Sequence, residues 1–358
     1  MTKGPRQKAI VAMSGGVDSS VTAALLVEEG YDVTGIMLKL WRGGTENIDS
    51  GCCNLGAAED ARRVADKLGI PFYVFNFAER FEESVIANFK NTYLSGRTPN
   101  PCVRCNQWIK FDMLLDRART LGADLLATGH YACVVDEDGR YRLRRGVDPN
   151  KDQSYVLWML TQEELTHVRF PVGHMEKSQT RALAAELGLR TAAKPDSQEI
   201  CFVRSGQVGS FVGGEPGAIV DTSGTVLGEH RGIANYTVGQ RKGLGISLGV
   251  PVYVTEVDPS ENTVVVGSAE QLAVDALVLE EVSFTDAPPG DGARVSVQHR
   301  AHGQVAPARL RLREESAEVV YDEPVAAIAP GQSAVLYDGD EVIGGGIIAA
   351  TRRPAAVA

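Results

Sequence analysis

The sequence predicts an α/β fold: a domain with a parallel sheet, followed by a small central domain and a C-terminal β-barrel-like domain. In the first half, short apolar runs alternate with segments of helical periodicity, which is typical of βαβ units. From about residue 217 onward, short strands and turns rich in Gly, Asp and Pro replace this pattern. A chain of 358 residues has room for two to three domains at roughly 150 residues each. We therefore expect domains at 1–210, 211–278 and 279–358.

The N-terminal elements are predicted from apolar runs and the glycines that end them. Helix 107–121, for example, is followed by Gly122, at a position that favours a left-handed residue. A hairpin over 131–145 is expected to turn at Asp138-Gly139. The predicted strands are 8–13, 31–38, 71–76 and 124–128, and the predicted helices are 18–29, 54–68, 79–94, 107–121, 152–160, 161–168 and 178–187. Ligands of parallel sheets bind at the carboxyl ends of the strands.

The charge of the chain is uneven. Its net charge of −10 at pH 7 argues against a protein that binds nucleic acid over its whole surface. Residues 97–151, however, carry ten Lys and Arg against seven Asp and Glu, and residues 294–313 carry five Arg, two His and no acidic residue. Such asymmetry favours a polyanionic partner of fixed shape, although a solvated basic face has the same composition.

The composition also excludes some classes of protein. With 44% apolar and 23% charged residues, the chain is neither disordered nor fibrous. No apolar stretch reaches the ~20 residues of a membrane helix. Only about seven residues precede the first apolar run, fewer than a signal peptide needs. We therefore expect a cytoplasmic protein that has no membrane partner.

Residues 14–20 read SGGVDSS, follow a predicted strand and open a predicted helix. In such a loop, backbone N–H groups, serine hydroxyls and the helix dipole converge on an anion. It is not a Walker A loop, because no Gly-Lys-Ser or Gly-Lys-Thr follows. A glycine turn with polar caps is the structural alternative. The string resembles the PP-loop of ATP pyrophosphatases, an adenine nucleotide alpha-hydrolase-like fold that cleaves ATP to AMP and pyrophosphate while adenylating a substrate.

Three cysteines are candidates for chemistry. Cys102 and Cys105 lie in what we predict to be a loop just before a helix, and Arg104 stands between them. A cysteine at a helix N-terminus beside an arginine gains thiolate character. A zinc half-site is the alternative, but no second Cys or His pair follows at a suitable spacing. Cys201, flanked by apolar residues, by itself favours a buried core thiol.

Seven motifs occur together along the chain. They are SGGVDSS (14–20), TPNPCVRCNQWIKF (98–111), ATGHY (127–131), KDQSY (151–155), DSQEICF (196–202), VGQRKGLG (238–245) and PGQSAVLY (330–337). In this order they resemble the tRNA-specific 2-thiouridylases, and the resemblance extends from about residue 8 to 350. It implies a PP-loop catalytic domain and ATP-dependent replacement of the C2 oxygen of the wobble uridine of tRNA by sulfur.

The resemblance implies where the substrates bind. For ATP it implies Ala12, Met13, Ser14, Gly15, Gly16, Val17, Asp18, Ser19, Leu38 and Gly129. For tRNA it implies Asn100, Pro101, Cys102, His130, Lys151, Asp152, Gln153, Arg300, Ala301 and Gln332. Mg²⁺ is expected near Asp18. For His130, the alternative is a satisfied polar residue at a strand end, whereas Arg300 lies in the basic window 294–313.

The resemblance also assigns the thiols. Cys105, directly before Asn106, corresponds to the nucleophile, and Cys201 to a persulfide carrier that forms a transient disulfide with Cys105. At Cys102 many relatives carry an aspartate thought to act as base, so the general base stays open. In the alternative mechanism, Cys102, Cys105 and Cys201 hold three corners of a [4Fe–4S] cluster whose open iron binds sulfide.

The implied reaction adenylates the C2 oxygen and then transfers sulfur, giving 2-thiouridine, AMP and pyrophosphate. Its implied partners are the anticodon arm of tRNA and a sulfur-relay protein or cysteine desulfurase. A small-molecule PP-loop synthetase is a rival class that would need no paired thiols. A non-catalytic RNA-binding protein is a second rival, disfavoured by the intact Ser14, Asp18 and Ser19. Cys52 and Cys53 are predicted in a polar loop without a catalytic role, and Cys133 in the core.

Overall fold

The computed structural model describes residues 6–41, 55–196, 200–203 and 206–354. Their contacts divide the chain into two compact units. The first unit consists of described residues 6–85, 102–203 and 340–342, and the second of 86–101, 206–339 and 343–354. Cys52 and Cys53 lie outside the described residues, as does the centre of the DSQEICF motif, 197–199.

Strands and helices alternate through the first half of the chain, as predicted. They are β1 (Lys8–Ala12), α1 (Val17–Glu28), β2 (Asp32–Lys39), α2 (Leu55–Leu68), β3 (Phe72–Asn76), α3 (Ala78–Phe81), α4 (Ala87–Leu94), α5 (Pro101–Arg104), α6 (Leu115–Thr120), β4 (Leu125–Thr128), β5 (Ala132–Glu137), β6 (Arg140–Arg145), α7 (Gln162–His167), β7 (Val168–Arg169) and α8 (Lys177–Glu186). Two π-helical segments, Glu82–Ile86 and Cys105–Leu114, lie between α3 and α4 and between α5 and α6. Single 3₁₀ turns span Ser154–Leu157, Pro171–His174 and Arg190–Ala193.

A parallel sheet in the order β3-β2-β1-β4-β7 forms the centre of the first unit. Strand order reverses between β1 and β4, so the loops that follow these two strands open onto the crevice where such folds bind ligands. Apolar side chains of β1 and β4 pack beneath α1, and Val11, Val21 and Ala127 are completely buried. The predicted parallel α/β domain is confirmed.

The predicted hairpin is also confirmed. Strands β5 and β6 pair antiparallel, with Glu137 opposite Arg140. The two residues between them, Asp138 and Gly139, have φ of 55° and 83°. Positive φ at both positions is what a type I′ turn requires, and Asp-Gly accommodates it with little strain.

Three local predictions need correction. The predicted loop around Cys102 and Cys105 is helical, because a helix begins at Pro101, whose fixed φ suits a first helical position. The predicted helix 152–160 is only a 3₁₀ turn, Ser154–Leu157, and the backbone N–H of Ser154 at its start binds the carboxylate of Asp152. The predicted helix 161–168 ends one residue early, and β7 follows it as a fifth parallel strand.

The second unit is rich in β-structure. Its elements are α9 (Val208–Val212), β8 (Gly217–Asp221), β9 (Val226–His230), β10 (Tyr253–Asp258), β11 (Thr263–Gly267), β12 (Ala273–Phe284), β13 (Arg294–Gln298), β14 (Ala306–Leu312), β15 (Ala317–Ala326), β16 (Ser333–Asp338) and β17 (Glu341–Arg352). One sheet has the order β10-β11-β8-β9. The strands β12-β15-β14-β13-β16-β17 form a second sheet, which a β12–β17 pairing closes into a six-stranded barrel. The predicted barrel-like domain is confirmed.

Candidate active site

The loop between β1 and α1 has the geometry of an anion site. The backbone N–H of Ser14 donates to the Ser19 hydroxyl at 3.1 Å, and the hydroxyls of Ser19 and Ser20 contact the carbonyl of Gly16 at 3.2 and 2.7 Å. Gly15 has φ of 72°, and a Cβ there would overlap the carbonyl of Ala57. Only glycine therefore fits, and the loop leads into the positive end of the 12-residue helix α1.

Asp18, in the first turn of α1, is held by two residues distant in sequence. Its two carboxylate oxygens lie 2.7 and 2.8 Å from the ammonium of Lys177, at the start of α8. The hydroxyl of Tyr131 lies 2.9 Å from Oδ1 of Asp18 and 3.0 Å from the hydroxyl of Thr180. Burial of Tyr131 raises its pKa far above 10, so this hydroxyl stays protonated and donates to the carboxylate.

Lys177 contacts a second carboxylate. Its ammonium lies 2.9 Å from Oδ1 of Asp196, while Lys151 and Arg181 reach Asp196 at 2.9 and 2.8 Å. Burial opposes ionisation of Asp196, but the hydrogen bonds from Lys151 and Lys177 hold the pKa of this carboxyl below its ordinary value. We call residues 14–20, SGGVDSS, the phosphate loop after their predicted ligand. Lys177 therefore connects the phosphate loop to the start of the motif that contains Cys201.

A second lysine makes a parallel connection. The ammonium of Lys194 donates to the carbonyl of Gly15 and to the carboxylate of Asp60, both at 2.8 Å. Residues 194–196 are thus bonded to the phosphate loop at two places, Gly15 directly and Asp18 through Lys177. Neither lysine was predicted as a site residue, because neither lies in a recognisable motif and their partners Asp18 and Gly15 are 159 and 179 residues away.

The remaining residues predicted for ATP lie at the same end of the sheet. Ala12 ends β1, Leu38 is buried near the end of β2, and Gly129 follows β4. A Cβ at Gly129 would lie 2.7 Å from the backbone nitrogen of Ser19, so β4 approaches the first turn of α1 closely. The structure brings the predicted residues together around one crevice, and their role toward ATP stays a prediction.

The helix that begins at Pro101 places two thiols near its N-terminus. Cys102 is exposed and Cys105 is half-buried. Arg104 is buried, its guanidinium lies 4.7 Å from the centre of the Trp108 ring, and it donates to Gln107 at 2.9 Å. The side chain of Asn106 donates to the carbonyl of Val156 at 2.9 Å, which fixes the helix immediately after Cys105.

Cys201 is half-buried, in contrast to the core thiol that its flanking residues favour. The neighbouring Phe202 is the buried residue, and its ring packs edge-on against that of Phe81, with the ring centres 5.5 Å apart. Cys133 is buried as predicted; burial raises its pKa to about 11, and its thiol donates to the carbonyl of Gly173.

Comparisons with known proteins agree with these observations. The family model described as tRNA methyl transferase HUP domain matches residues 7–205, the PRC-barrel domain model of the same name matches 207–268, and an aminomethyltransferase beta-barrel domain model matches 274–348. The tRNA-specific 2-thiouridylase MnmA of Acetivibrio thermocellus is 48% identical over 356 residues, covering 96% of this chain and 99% of the relative. That of Geotalea uraniireducens is 51% identical, covering 96% and 95%. The chain belongs to the tRNA-specific 2-thiouridylase family.

Solved structures resemble the chain less. The U34-tRNA thiolase NcsA from Methanococcus maripaludis with its [4Fe-4S] cluster matches at 19% identity and a TM-score of 0.36, covering 55% of this chain and 61% of that one. A 4-thiouridine synthetase in complex with RNA and ATP matches at 18% identity and a TM-score of 0.36, covering 55% and 45%. Among the described residues, no helix is long and apolar enough to cross a membrane.

The cluster alternative can be tested on the three cysteines, all of which the structure describes. A [4Fe–4S] cluster requires thiolates that converge on one centre. Within the described residues, no group of three or more His, Cys, Asp or Glu side chains is placed to share a metal ion. Cys102, Cys105 and Cys201 are thus not arranged as ligands of a single metal ion, and the choice between a cluster and a persulfide is made by the experiment proposed below.

Three residues predicted for tRNA are engaged inside the first unit. His130 is buried between Phe111 and Phe170, and its Nδ1 lies 2.6 Å from the Thr128 hydroxyl. Burial, with a smaller effect of Lys110, lowers the pKa of His130 well below 6.5, so the ring is neutral. Asp152 binds Arg145 at 2.8 Å, and the side chain of Gln153 accepts the backbone N–H of Tyr131.

Cys102 and Lys151, described above, also lie in the first unit, whereas the remaining predicted tRNA residues lie in the second unit. The amide of Gln332 donates to the carbonyls of Thr98 and Pro99 at 3.1 and 2.9 Å, so it supports the segment that contains Asn100 and Pro101. Arg300 is exposed and donates to the carbonyl of Ala327. The carbonyl of Ala301 accepts from Gln298 at 3.0 Å. Among the predicted tRNA residues of the second unit, Arg300 is the one with a positive charge, and its side chain is exposed.

Proposed function

We propose that this chain catalyses ATP-dependent 2-thiolation of the wobble uridine of tRNA, giving 2-thiouridine, AMP and pyrophosphate. The observation that carries the proposal is the phosphate loop with Asp18 at the carboxyl edge of the sheet, in a chain of this family. We propose that the reaction takes place in the cytoplasm, where ATP and tRNA are both present. Residues 1–210 would form the catalytic domain, with 211–278 and 279–358 as the central and tRNA-contacting domains.

In the first step, the loop 12–19 binds the phosphates of ATP. Backbone N–H groups and the positive end of α1 stabilise the negative charge that develops on pyrophosphate. Asp18 supplies a carboxylate of the kind that Mg²⁺ binds together with phosphates. The C2 oxygen of uridine attacks the α-phosphorus, pyrophosphate leaves, and C2 then bears AMP as a leaving group.

In the second step, sulfur arrives as a persulfide on Cys201, loaded by a sulfur-relay protein or cysteine desulfurase. The thiolate of Cys105 attacks the inner sulfur of the persulfide, and the Cys105–Cys201 disulfide forms. The outer sulfur leaves with the bonding electron pair, attacks C2 and displaces AMP. A thiol reductant then returns both cysteines to thiols. The uridine must leave its stack to reach these groups.

Separate measurements of the two half-reactions test this proposal. Cys105→Ser and Cys201→Ser are expected to abolish 2-thiouridine formation while keeping tRNA-dependent pyrophosphate release, because neither thiol takes part in adenylation. Cys133→Ser is the control, since Cys133 is buried away from solvent in a hairpin strand. Pyrophosphate release without tRNA would favour a small-molecule synthetase. No pyrophosphate release at all would favour the methyl transfer that the family-model name suggests, or a non-catalytic RNA-binding protein.

The identity of the sulfur carrier needs a second measurement. Iron and sulfide analysis after anaerobic purification is expected to show no cluster, and protein loaded with persulfide on Cys201 is expected to thiolate tRNA. Cys102→Asp, which introduces the aspartate of many relatives, is expected to remain active. An iron-containing protein that works with free sulfide and loses activity in Cys102→Asp would contradict the persulfide route.

A further inference from the structure

The two lysine bridges between the phosphate loop and residues 194–196 have no part in the chemistry described above. Lys177 is deeply buried, with 10% of its side chain exposed, yet its ammonium contacts two different carboxylates. Burying an ammonium is costly unless it is fully paired, so this position has been built around its partners. One partner is Asp18 of the phosphate loop, and the other is Asp196, five residues before Cys201.

The hydrogen-bonding capacity of Lys177 is fully used. An ammonium has three N–H donors, and they face Oδ1 and Oδ2 of Asp18 and Oδ1 of Asp196. A nucleotide in the phosphate loop brings several phosphate oxygens to the same place, and Mg²⁺ competes for the carboxylate of Asp18. A phosphate oxygen that approaches Lys177 therefore competes with Asp18 and Asp196 for its N–H donors.

Asp196 is the contact that is more easily given up. It keeps Lys151 and Arg181 at 2.9 and 2.8 Å after Lys177 turns away, so no unpaired carboxylate remains. Loss of the hydrogen bond from Lys177 nevertheless leaves Asp196 with two charge-assisted hydrogen bonds instead of three, which weakens the attachment of residues 194–196 to the rest of the first unit. On the C-terminal side of Cys201, the ring of Phe202 packs against that of Phe81. The contacts that weaken are therefore those of Asp196, on the N-terminal side of Cys201.

We propose that Lys177 is a positioning residue that couples occupancy of the phosphate loop by ATP to the reactivity of Cys201. Without nucleotide, Lys177 ties Asp196 to Asp18 and so restrains Asp196, five residues before Cys201. With nucleotide, Lys177 turns to the phosphates and the restraint is released. The proposal rests on the proposed function, in which the loop binds ATP and Cys201 carries the sulfur. Its consequence is that sulfur transfer is favoured only once the uridine can be activated.

The test measures alkylation of Cys201 by iodoacetamide, followed by mass spectrometry of its peptide, in the intact chain without tRNA or sulfur donor. In the wild-type chain, α,β-methylene-ATP with Mg²⁺ is expected to speed alkylation of Cys201 by about three- to tenfold, which corresponds to the loss of one hydrogen bond of ordinary net strength. In Lys177→Met, alkylation is expected to be fast without nucleotide and unchanged with it. Lys67→Met is the matched control, because this exposed lysine of the same unit binds only a backbone carbonyl.

Asp196→Asn cuts the other arm of the bridge and is expected to behave like Lys177→Met, which keeps the test valid if Lys177→Met does not fold. Alkylation of the exposed Cys102 in the same samples reports general changes in thiol access. Equal changes at Cys102 and Cys201, slower alkylation of Cys201 with nucleotide, or a normal response in Lys177→Met would overturn the coupling. Calorimetric titration with the same nucleotide separates the two proposals: absence of binding to the wild-type chain contradicts the ATP site itself.

Discussion

Each of the two units contains a carboxylate with three cationic partners, and the two clusters differ in burial. In the first unit, Asp196 binds Lys151, Lys177 and Arg181 at 2.8–2.9 Å. In the barrel, Glu318 contacts Arg352 at 2.9 Å but Arg311 and Arg313 only at 3.6 Å. The two carboxylates are similarly exposed, at 22% and 18%.

The cations make the difference. The arginines around Glu318 are 53–56% exposed, so water screens their charge and their removal costs little. The cations around Asp196 are 10–34% exposed, and Lys177 is the most buried. A buried cation that loses its partner stays desolvated without compensation. The same charge composition therefore gives a structural connection in one unit and a modest surface interaction in the other.

The largest expected effect compares these two carboxylates directly. Asp196→Asn is expected to destabilise the first unit by about 3 kcal/mol, because three partly buried cations lose their shared negative charge. Glu318→Gln, the matched change in the barrel, is expected to cost less than about 1 kcal/mol. Urea unfolding, with hydrogen exchange to locate the loss in each unit, measures both. Equal losses would mean that burial does not distinguish the clusters.

The comparison also shows what could be read from the sequence. The alternation of strands and helices along the first half, the Asp138-Gly139 turn and the position of the glycine-rich loop between a strand and a helix depend on neighbouring residues, and each was predicted correctly. Lys177 was missed because its partner Asp18 lies 159 residues away, and only the folded sheet brings them together. The helical position of Cys105 was missed because Pro101 was taken as part of a loop, although it starts the helix.

The basic window 294–313 was predicted from charge counts, and its effective charge depends on contacts that the count omits. Arg294 pairs with Asp322, and Arg311 and Arg313 with Glu318, carboxylates of the adjoining strand β15. Burial, with a smaller effect of Arg300, lowers the pKa of His299 from 6.5 to about 4, so it is neutral at pH 7.

The second expected effect follows from His299. Its folded pKa lies below the unfolded value, so the unfolded chain takes up the proton first as the pH falls. The second unit is therefore expected to lose stability between pH 6.5 and about 4, by on the order of 2 kcal/mol, with no further loss from this residue below that range. His299→Gln should flatten this part of the pH profile of thermal unfolding. His302→Gln, a change at an exposed histidine of the same window, is the control, and identical profiles for wild type and His299→Gln would contradict the assignment.

The smallest expected effect distinguishes arginines within the window and concerns tRNA binding rather than stability. Arg300 is exposed, donates to the carbonyl of Ala327, and has no carboxylate partner among the described residues. Its charge is therefore available to a phosphate. Arg294, in contrast, pairs with Asp322 at 3.1 Å. Arg300→Ala should weaken tRNA binding and lower the slope of log K against log salt by about one, because one counterion fewer is released.

Arg294→Ala is the matched control and should change the slope by much less, since Asp322 already partly neutralises the charge that it removes. Filter binding of tRNA at several salt concentrations, with both variants beside the wild type, measures the two slopes. Equal reductions would show that the window acts as a uniform basic surface in which pairing with β15 is irrelevant. An unchanged slope in Arg300→Ala would remove this arginine from the tRNA contacts, and with it the assignment of the window as a phosphate-binding surface.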